Sequence, residues 1–437
     1  MQPNIIFIVA DDLGFADLGC YGARDAAFGP VSPVLDALAA DGIRFTEGYA
    51  NSPVCSPTRF ALITGRYQYR LRGAAEEPIS ATTKSSATLG MPAEHPTIPS
   101  LLRDAGYSTA LIGKWHLGYP PHFSPIKSGY QEFFGVMSGG ADYFSHCGSN
   151  GEHDLYLNEE ETRQEGYLTD LLSKRAVDYI DRMAGAEYPF FLSLHYTAPH
   201  WPWETRDDAH VTDEVHGNLF HLNGGNIHTY RRMIHHMDEG IGWVMEALRR
   251  NGVADNTLVI FTSDNGGERF SDNWPLVGGK MDLTEGGIRV PWIAHWPATI
   301  APGTTSPQHC MTMDWSATVL DAAGVAPHPD FSLDGRSLMH VLRQPTTCFE
   351  RPLFWRMKHR EQRAHRHGDW KYLRVDGYDY LFNITDDARE RANRATEEPG
   401  LLEAMKQAWE SWNASMPAIP ADAQVRPGNG LKDMPQR

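Results

Sequence analysis

Several short apolar runs, most of them followed directly by polar residues, constrain the fold of this chain more than any other feature. The runs are rich in β-branched residues and comprise Ile5–Ala10, Thr109–Ile112, Phe190–His195 and Leu258–Thr262, with Trp292–His295 as a weaker fifth. Their length and composition are typical of strands buried on both faces of a sheet. Apolar residues spaced three and four apart predict helices over 168–183 and 230–248. This alternation indicates an α/β fold, with a large, mostly parallel or mixed central sheet flanked by helices.

The pattern changes after about residue 345. Short predicted strands separated by turns cover Pro352–Lys358, Ala364–Leu373 and Tyr378–Phe382, helical spacing covers Leu401–Trp412, and a tail rich in Pro, Ala and Gly begins at Met416. We therefore predict a catalytic domain over 1–345 and a C-terminal subdomain over 346–437, with a small antiparallel sheet, a helix and the tail. The tail is expected to lie on the surface or against a partner subunit of a homo-oligomer.

The charge balance excludes some partners. The chain has 437 residues, with 39 Lys and Arg against 55 Asp and Glu, and a formal net charge of −16. Nucleic-acid binding draws its affinity from basic side chains, and so does binding to anionic lipid, so neither nucleic acid nor a membrane is expected as a partner. A hydrophobic fraction of 41% excludes global disorder.

Targeting signals and cysteine spacing bear on the compartment. No apolar stretch reaches the roughly 18 residues of a membrane span, and no basic region or cleavage site precedes Ile5. The expected location is therefore cytoplasmic, or periplasmic or secreted if a leader has been removed. The five cysteines are scattered and lack C-x-x-C spacing, which argues against a disulfide framework or a zinc site.

Polar side chains follow four of the predicted strands. They are Asp11 and Asp12 after the first run, Lys114 and His116 after the second, His200 after the third, and Asp264 and Asn265 after the fourth. Ligands bind outside the carboxyl ends of the strands in an open parallel sheet, so these residues are expected to meet at one edge.

Three carboxylates and one amide oxygen form a hard ligand set, which favours Ca²⁺ or Mg²⁺ over zinc. Asp11 and Asp12 alone could instead be a helix cap or a turn, and Asn265-Gly266 is a strong β-turn signal. Because both groups end buried strands, the metal site is the favoured interpretation.

A second cluster surrounds Cys55. Pro57 is acceptable in the first turn of a helix and Gly65 is a plausible stop, so Cys55 is expected at a helix N-terminus, with Arg59 one turn further along the same face. Helix N-termini favour anions. A lone cysteine is more often a small buried hydrophobe, but the neighbouring cation favours a functional role.

These residues carry a resemblance to a known family. The segment 53–65 contains the intact pattern Cys-x-Pro-x-Arg, and 106–116, Gly-Tyr-Ser-Thr-Ala-Leu-Ile-Gly-Lys-Trp-His, is a second complete signature. The blocks 4–12, 262–267 and 279–291 match as well. Over residues 5 to about 393 the chain resembles the type I, arylsulfatase-like sulfatases of the alkaline-phosphatase superfamily.

The resemblance implies a cofactor and a reaction. Cys55 would be oxidised by a formylglycine-generating maturation enzyme to Cα-formylglycine, whose hydrate is a geminal diol. One divalent cation, usually calcium, would be held by residue 55 together with Asp11, Asp12, Asp264 and Asn265. One diol hydroxyl would attack the sulfur of a small sulfate ester and expel the alcohol, and the second would then release inorganic sulfate.

The resemblance also implies roles for the remaining residues. Arg59 and Lys114 would orient and stabilise the diol, and His116 would act as the base in the second step. His200 and Lys280 would bind the sulfate ester and help to protonate the leaving oxygen. His200 could instead be a structural histidine, and Lys280 an ordinary surface lysine.

Six aromatic residues flank the expected crevice and could receive an aryl group or a sugar ring, although several are expected to be plain packing. They are Trp115, Tyr119, Phe144, Trp201, Trp203 and Trp274.

Three other functions remain open from the sequence. A phosphodiesterase or phosphonate monoester hydrolase of the same superfamily would use a similar site. An inactive protein that binds sulfated glycans would lack catalytic residues, but every expected position is filled. A cysteine-dependent hydrolase would use Cys55 unmodified.

Overall fold

A ten-stranded mixed sheet lies at the centre of the computed structural model, which describes residues 2–215 and 218–427. The strands of the described residues are β1 (Asn4–Ala10), β2 (Ile43–Phe45), β3 (Gly48–Tyr49), β4 (Ser108–Lys114), β5 (Glu132–Val136), β6 (Leu155–Leu157), β7 (Glu160–Glu161), β8 (Phe190–His195), β9 (Thr257–Ser263), β10 (Trp292–His295), β11 (Thr304–Ser306), β12 (Cys310–Met311), β13 (Leu353–Arg356), β14 (Arg363–His367), β15 (Trp370–Val375) and β16 (Tyr378–Asn383). The order across the large sheet is β11-β2-β10-β9-β1-β8-β4-β5-β6-β7.

The middle of this sheet is parallel. β1 pairs in parallel with both β8 and β9, and β4 pairs in parallel with β8 and β5. The carboxyl ends of β1, β4, β8 and β9 therefore lie at one edge of the sheet. β10 runs antiparallel to β9, which makes the sheet mixed. The predicted α/β fold class is confirmed, whereas the short outer strands β2, β5, β6, β7 and β11 were not predicted.

Helices cover both faces of the sheet. The α-helices of the described residues, not all of which pack on this sheet, are α1 (Asp25–Phe28), α2 (Pro33–Ala40), α3 (Cys55–Thr64), α4 (Ile98–Asp104), α5 (Leu168–Met183), α6 (Thr212–Val215), α7 (Ile227–Arg250), α8 (Glu285–Ile288), α9 (Thr312–Ala323), α10 (Met339–Arg343) and α11 (Pro399–Ala414). Gly65 ends α3 with a φ of 68°, a left-handed conformation that glycine adopts at little cost. The predicted start and stop of this helix are both present.

Alternate residues of β1 enter different cores, because successive strand residues point to opposite faces. Ile6 and Ile8 pack into a cluster with α5 and α7, whereas Ile5 and Phe7 pack into a cluster with α4 and α9. Burial on both faces explains why these strands are continuous apolar runs.

A four-stranded antiparallel sheet, β13-β14-β15-β16, follows in the C-terminal part and packs against α11. The single strand predicted over 364–373 is wrong: β14 and β15 form a hairpin there. Gly368, with a φ of 57°, lies in the turn between them. The predicted boundary at residue 345 stays a prediction.

The described part of the tail lies along the segment that contains Glu77. Val425 forms an isolated parallel bridge with Glu77, and the Arg426 N–H donates to Glu77 O at 2.8 Å. The rest of the predicted tail, 428–437, lies outside the described residues.

Candidate active site and metal centre

Four oxygen-bearing side chains meet where β1 and β9 end. Asp11 and Asp12 follow β1, Asp264 and Asn265 follow β9, and each is at most 2% exposed. The Asp12 N–H donates to Asp264 Oδ1 at 3.3 Å, and Asn265 Nδ2 donates to Asp12 Oδ1 at 2.6 Å. Asp12 has a φ of 62°, a conformation that Asp tolerates better than bulkier residues. The structure thus brings together four of the five predicted ligands, the fifth being residue 55.

Each of the three carboxylates is opposed by a cation. The pairs are Lys114 Nζ with Asp11 Oδ2 at 2.5 Å, Lys280 Nζ with Asp12 Oδ2 at 2.6 Å, and Arg59 Nη2 with Asp264 Oδ2 at 2.8 Å. These cations come from β4, from the loop after β9 and from α3, so they are brought together only by the tertiary fold.

Burial and ion pairing compete at these groups. Burial alone would raise the pKa of Asp264, but Arg59 and Lys114 outweigh it and hold that pKa below its usual value. Burial alone would lower the pKa of Lys280, yet the carboxylate of Asp12 raises it well above its usual value. Asp264 is therefore ionised and Lys280 is protonated at neutral pH.

Two buried oxygens in the group are well placed for a metal ion. Among the described residues, Asp11 Oδ1 and Asn265 Oδ1 have no hydrogen-bond partner, which is costly for buried polar atoms. Burial raises the pKa of Asp11 well above its usual value, by more than Lys114 and Arg59 lower it. An added cation would satisfy both oxygens and stabilise the Asp11 carboxylate. Carboxylate and amide oxygens are the donors that Ca²⁺ and Mg²⁺ prefer, so the residues present fit such an ion.

Cys55 faces this oxygen cluster. It is the first residue of α3 and is 1% exposed. Its Sγ, an oxygen of Asp11 and an oxygen of Asp264 all lie within 4.8 Å of one another, and the same holds for Sγ with Asp12 and His200. Burial raises the pKa of the Cys55 thiol to about 12. The unmodified side chain is therefore a poor thiolate nucleophile in these surroundings.

His116 presents one free ring nitrogen. Its Nε2 lies 2.8 Å from Ile79 O and donates to that carbonyl, so Nδ1 carries the lone pair of the neutral ring. Nδ1 is buried and has no partner within the described ranges. Burial, and then Lys114, lower the pKa of His116 well below its usual value. The ring is thus neutral and can accept a proton at Nδ1.

His200 has the opposite arrangement. Its Nδ1 donates to Trp201 O at 2.8 Å, and its Nε2 lies 3.5 Å from Asp12 Oδ2. Burial, and then Lys280, lower its pKa well below the usual value. Nε2 therefore faces the site without a proton until an anion nearby favours the charged ring.

His195 was not among the site residues predicted from the sequence. This last residue of β8 is buried, and its Nδ1 lies 3.4 Å from Arg59 Nη1. Arg59 Nη1 also donates to Lys114 O at 3.1 Å, so the guanidinium is held on several sides. The position of His195 at the end of β8 was the sequence signal that could have identified it.

Gln362, directly before β14, was also not predicted from the sequence as a residue that acts on the site. Its Nε2 donates to Met281 O and its Oε1 accepts from the Leu283 N–H, each at 2.8 Å, and it is 1% exposed. Met281, directly after Lys280, also donates its N–H to Pro53 O at 2.9 Å. The loop that carries Lys280 is therefore hydrogen-bonded both to the segment before Cys55 and to Gln362.

The six aromatic residues predicted to flank the crevice differ in exposure. Trp115, Tyr119 and Trp203 are at most 3% exposed, and Phe144 packs against a core cluster. Trp201 is half-buried beside His200, and Trp274 is 60% exposed. Most of the predicted wall is therefore packing.

No helix in the described ranges is both long and apolar enough to cross a membrane.

Comparisons with known proteins converge on one family. The family model described as Sulfatase matches residues 3–325. N-acetylgalactosamine-6-sulfatase of Homo sapiens is 33% identical over 375 residues, covering 81% of this chain and 68% of that protein. Arylsulfatase J of Mus musculus is 30% identical over 478 residues, covering 96% of this chain and 77% of that protein.

Solved structures are similar over nearly the whole chain. The crystal structure of Ps i-CgsB in complex with k-i-k-neocarrahexaose has a TM-score of 0.85 and 32% identity, covering 95% of this chain and 94% of that chain. The phosphonate monoester hydrolase of Agrobacterium radiobacter, at 19% identity and a TM-score of 0.64, shares the fold.

Proposed function

The chain belongs to the sulfatase family and is a sulfuric ester hydrolase, and we propose that it cleaves aryl or carbohydrate sulfate monoesters with a Cα-formylglycine derived from Cys55 and one divalent cation, Ca²⁺. The cation would be held by Asp11, Asp12, Asp264, Asn265 and the modified residue 55. When present, the hydrated aldehyde supplies a nucleophilic hydroxyl, and the cation supplies positive charge toward the sulfate oxygens.

The observation that carries this proposal is the cluster of buried oxygens facing Cys55. Asp11 Oδ1 and Asn265 Oδ1 accept no hydrogen bond within the described part of the chain, and Cys55 Sγ lies within 4.8 Å of carboxylate oxygens of Asp11 and Asp264. A modified residue 55 that ligates a cation beside these carboxylates would satisfy both oxygens.

Local charge supports an anionic substrate despite the net charge of −16. Three carboxylates in the site are matched by three cations, Arg59, Lys114 and Lys280. A divalent ion would leave the site with a surplus of positive charge. Buried, preorganised charge of this kind stabilises negative charge that develops in the transition state.

Arg59, Lys114 and His116 would serve residue 55. Arg59 and Lys114 each contact a carboxylate beside Cys55, where their charge favours a negative oxygen on that residue. His116 is neutral, with Nδ1 free to accept a proton when sulfate is released. The carbonyl of Ile79 fixes this tautomer.

His200 and Lys280 would act at the ester. Both contact Asp12 Oδ2, at 3.5 Å and 2.6 Å, so their polar atoms lie on the same side of the ligand cluster. Lys280 is protonated and can hold a sulfate oxygen. An anionic ester would raise the pKa of His200, and the protonated Nε2 could then donate to the leaving oxygen.

The test has two parts. The chain is co-expressed with a formylglycine-generating enzyme. Mass spectrometry of the peptide around residue 55 should then detect the aldehyde, and metal analysis of the intact protein should detect bound calcium. A retained thiol in fully active protein would contradict the modification.

In the second part, kcat/KM is compared for 4-nitrophenyl sulfate and an aryl phosphodiester. We expect the sulfate to be preferred. A strong preference for the diester would make the chain a phosphodiesterase of the same superfamily.

A further inference from the structure

Two adjacent aromatic rings at the edge of the site are partly exposed. The ring centroids of Trp201 and His200 are 4.0 Å apart, and the ring of Phe220 lies 4.6 Å from Trp201. Lys280 Nζ lies 6.0 Å from the centroid of Trp201. Phe220 is 37% exposed. Trp201 and Phe220, hereafter the aromatic shelf, therefore extend outward from the two residues proposed to bind the ester.

The exposed edge of the shelf is held in place by polar contacts. Arg269 donates to His221 O at 2.9 Å and to Phe220 O at 3.3 Å, and its guanidinium stacks on Trp203 with 5.5 Å to the ring centroid. His221 Nδ1 accepts from the Trp203 N–H at 3.2 Å. The backbone of Phe220 is thus held by the hydrogen bond from Arg269. Its ring remains partly in solvent, although burying the ring would stabilise the fold.

We propose that the aromatic shelf binds the sugar ring of a sulfated saccharide, so that the alcohol part of the ester lies over Trp201 and Phe220. This inference rests on the proposed function and narrows its substrate class.

The chemistry of the shelf favours a saccharide over an aryl group. A saccharide ring has an apolar face that can pack on aromatic side chains, while its hydroxyl groups remain in water. The Phe220 ring is 37% exposed, and Leu222, two residues further along the chain, is 40% exposed. An aryl group would gain more from an enclosed apolar pocket. His200 and Lys280 lie at the inner end, where the sulfate must be bound.

The test compares Phe220→Ala with Tyr378→Ala, which removes a 70% exposed aromatic ring from β16 in the C-terminal sheet. Both variants are made in fully modified protein and assayed with N-acetylgalactosamine 6-sulfate, carrageenan oligosaccharides and 4-nitrophenyl sulfate. We expect Phe220→Ala to raise KM for a hydrolysed saccharide about tenfold, with less than a twofold change for 4-nitrophenyl sulfate. Phe220→Tyr should restore the wild-type KM, and Tyr378→Ala should leave both substrates unchanged.

Other outcomes separate the two proposals. If 4-nitrophenyl sulfate is hydrolysed but no saccharide sulfate is, or if Phe220→Ala affects both substrates equally, the shelf proposal is overturned and the sulfatase function stands. If wild-type protein with verified formylglycine hydrolyses no sulfate ester, the proposed function itself fails.

Binding gives a readout without turnover. In a Cys55→Ala background, Phe220→Ala should weaken the Kd for the hydrolysed saccharide about tenfold. An unchanged Kd would contradict the shelf.

Discussion

At the scale of single residues, the site is a set of buried ion pairs that depend on one another. Removing one member of such a pair leaves its partner charged and buried, which is strongly destabilising. Asp264 illustrates this, because Arg59 donates to its Oδ2 from both Nε and Nη2. Its other oxygen accepts the backbone N–H of Asp12.

The first prediction concerns Asp264. Asp264→Asn keeps the shape of the side chain but removes the charge that balances Arg59. We expect kcat/KM for 4-nitrophenyl sulfate to fall at least ~10²-fold and calcium content to fall with it. Steady-state kinetics and metal analysis check this. Asp104→Asn, whose side chain is 66% exposed, is the control. Full activity with Asp264→Asn would contradict the assigned role.

A second prediction concerns Glu204, whose pKa is raised to about 9 by burial and then by Asp142. The unfolded chain releases this proton near pH 4.3. Between these values the folded state binds the extra proton, so its stability falls as pH rises. Between pH 5 and 8 the free energy of unfolding of the wild type should therefore fall with pH by up to ~1.4 kcal/mol per unit because of Glu204, and we expect Glu204→Gln to remove this contribution.

Denaturant unfolding at several pH values measures this effect. Glu165→Gln, at an exposed position, serves as the control and should leave the pH profile unchanged. If Glu204→Gln and wild type have parallel profiles, the raised pKa is contradicted.

At the scale of elements, the loop between β9 and α8, which carries Lys280, depends on contacts from distant parts of the chain. The Lys280 N–H donates to Gly267 O at 3.1 Å, next to the proposed ligands Asp264 and Asn265. Gln362, directly before β14, donates to Met281 O and accepts from the Leu283 N–H. This side chain therefore contributes to the position of Lys280 from outside the ligand cluster.

A third prediction follows for Gln362. Gln362→Leu removes both hydrogen bonds to the loop, and we expect kcat/KM to fall up to ~30-fold, since the two bonds together contribute ~2 kcal/mol. In a Lys280→Ala background the same change should have little further effect, because both act on one group. Gln131→Leu, which removes a bond to the Thr109 N–H far along the chain, is the control. Fully additive losses in the double variant would contradict a positioning role.

At the scale of the whole molecule, the proposed ion would join the ends of two central strands. β1 and β9 are neighbours in the sheet, and their following loops carry all four predicted oxygen ligands. An ion that binds the folded state alone stabilises it by ~2.7 kcal/mol at a free concentration of 100 times Kd.

The fourth prediction therefore concerns the melting temperature, Tm. Addition of Ca²⁺ to chelator-treated protein should raise Tm, and Asp12→Asn should abolish the increase. Differential scanning calorimetry with Ca²⁺, Mg²⁺ and no added ion measures this. An equal Tm in all three conditions would contradict a structural contribution of the ion.

Local patterns were sufficient to predict the centre of the fold. The runs that became β1, β4, β8 and β9 are apolar because both faces of each strand are buried. Polar residues that directly follow a parallel strand can lie only at its carboxyl edge. The start and the end of α3 also follow from nearby residues, since Pro57 lies in its first turn and Gly65 directly follows its last residue. For these elements the deciding interactions are short in sequence.

Contacts between distant segments decided the rest. The contact of His195 with Arg59 depends on strand order, and Gln362 acts on the loop that carries Lys280 from a segment about eighty residues further along the chain. Packing also decided which aromatic rings are accessible, a difference that the sequence did not reveal. Trp203 is buried, whereas Phe220, which was not predicted as a site residue, is partly exposed beside Trp201.

The sequence by itself therefore determined the family, the central strands and the residue types that the reaction needs, because each of these is carried by a short contiguous pattern. Only the tertiary structure decided which cation opposes which carboxylate, which buried oxygens lack partners, and which rings line the site. Those properties depend on distances between segments more than a hundred residues apart, such as Arg59 and Asp264 or Lys114 and Asp11.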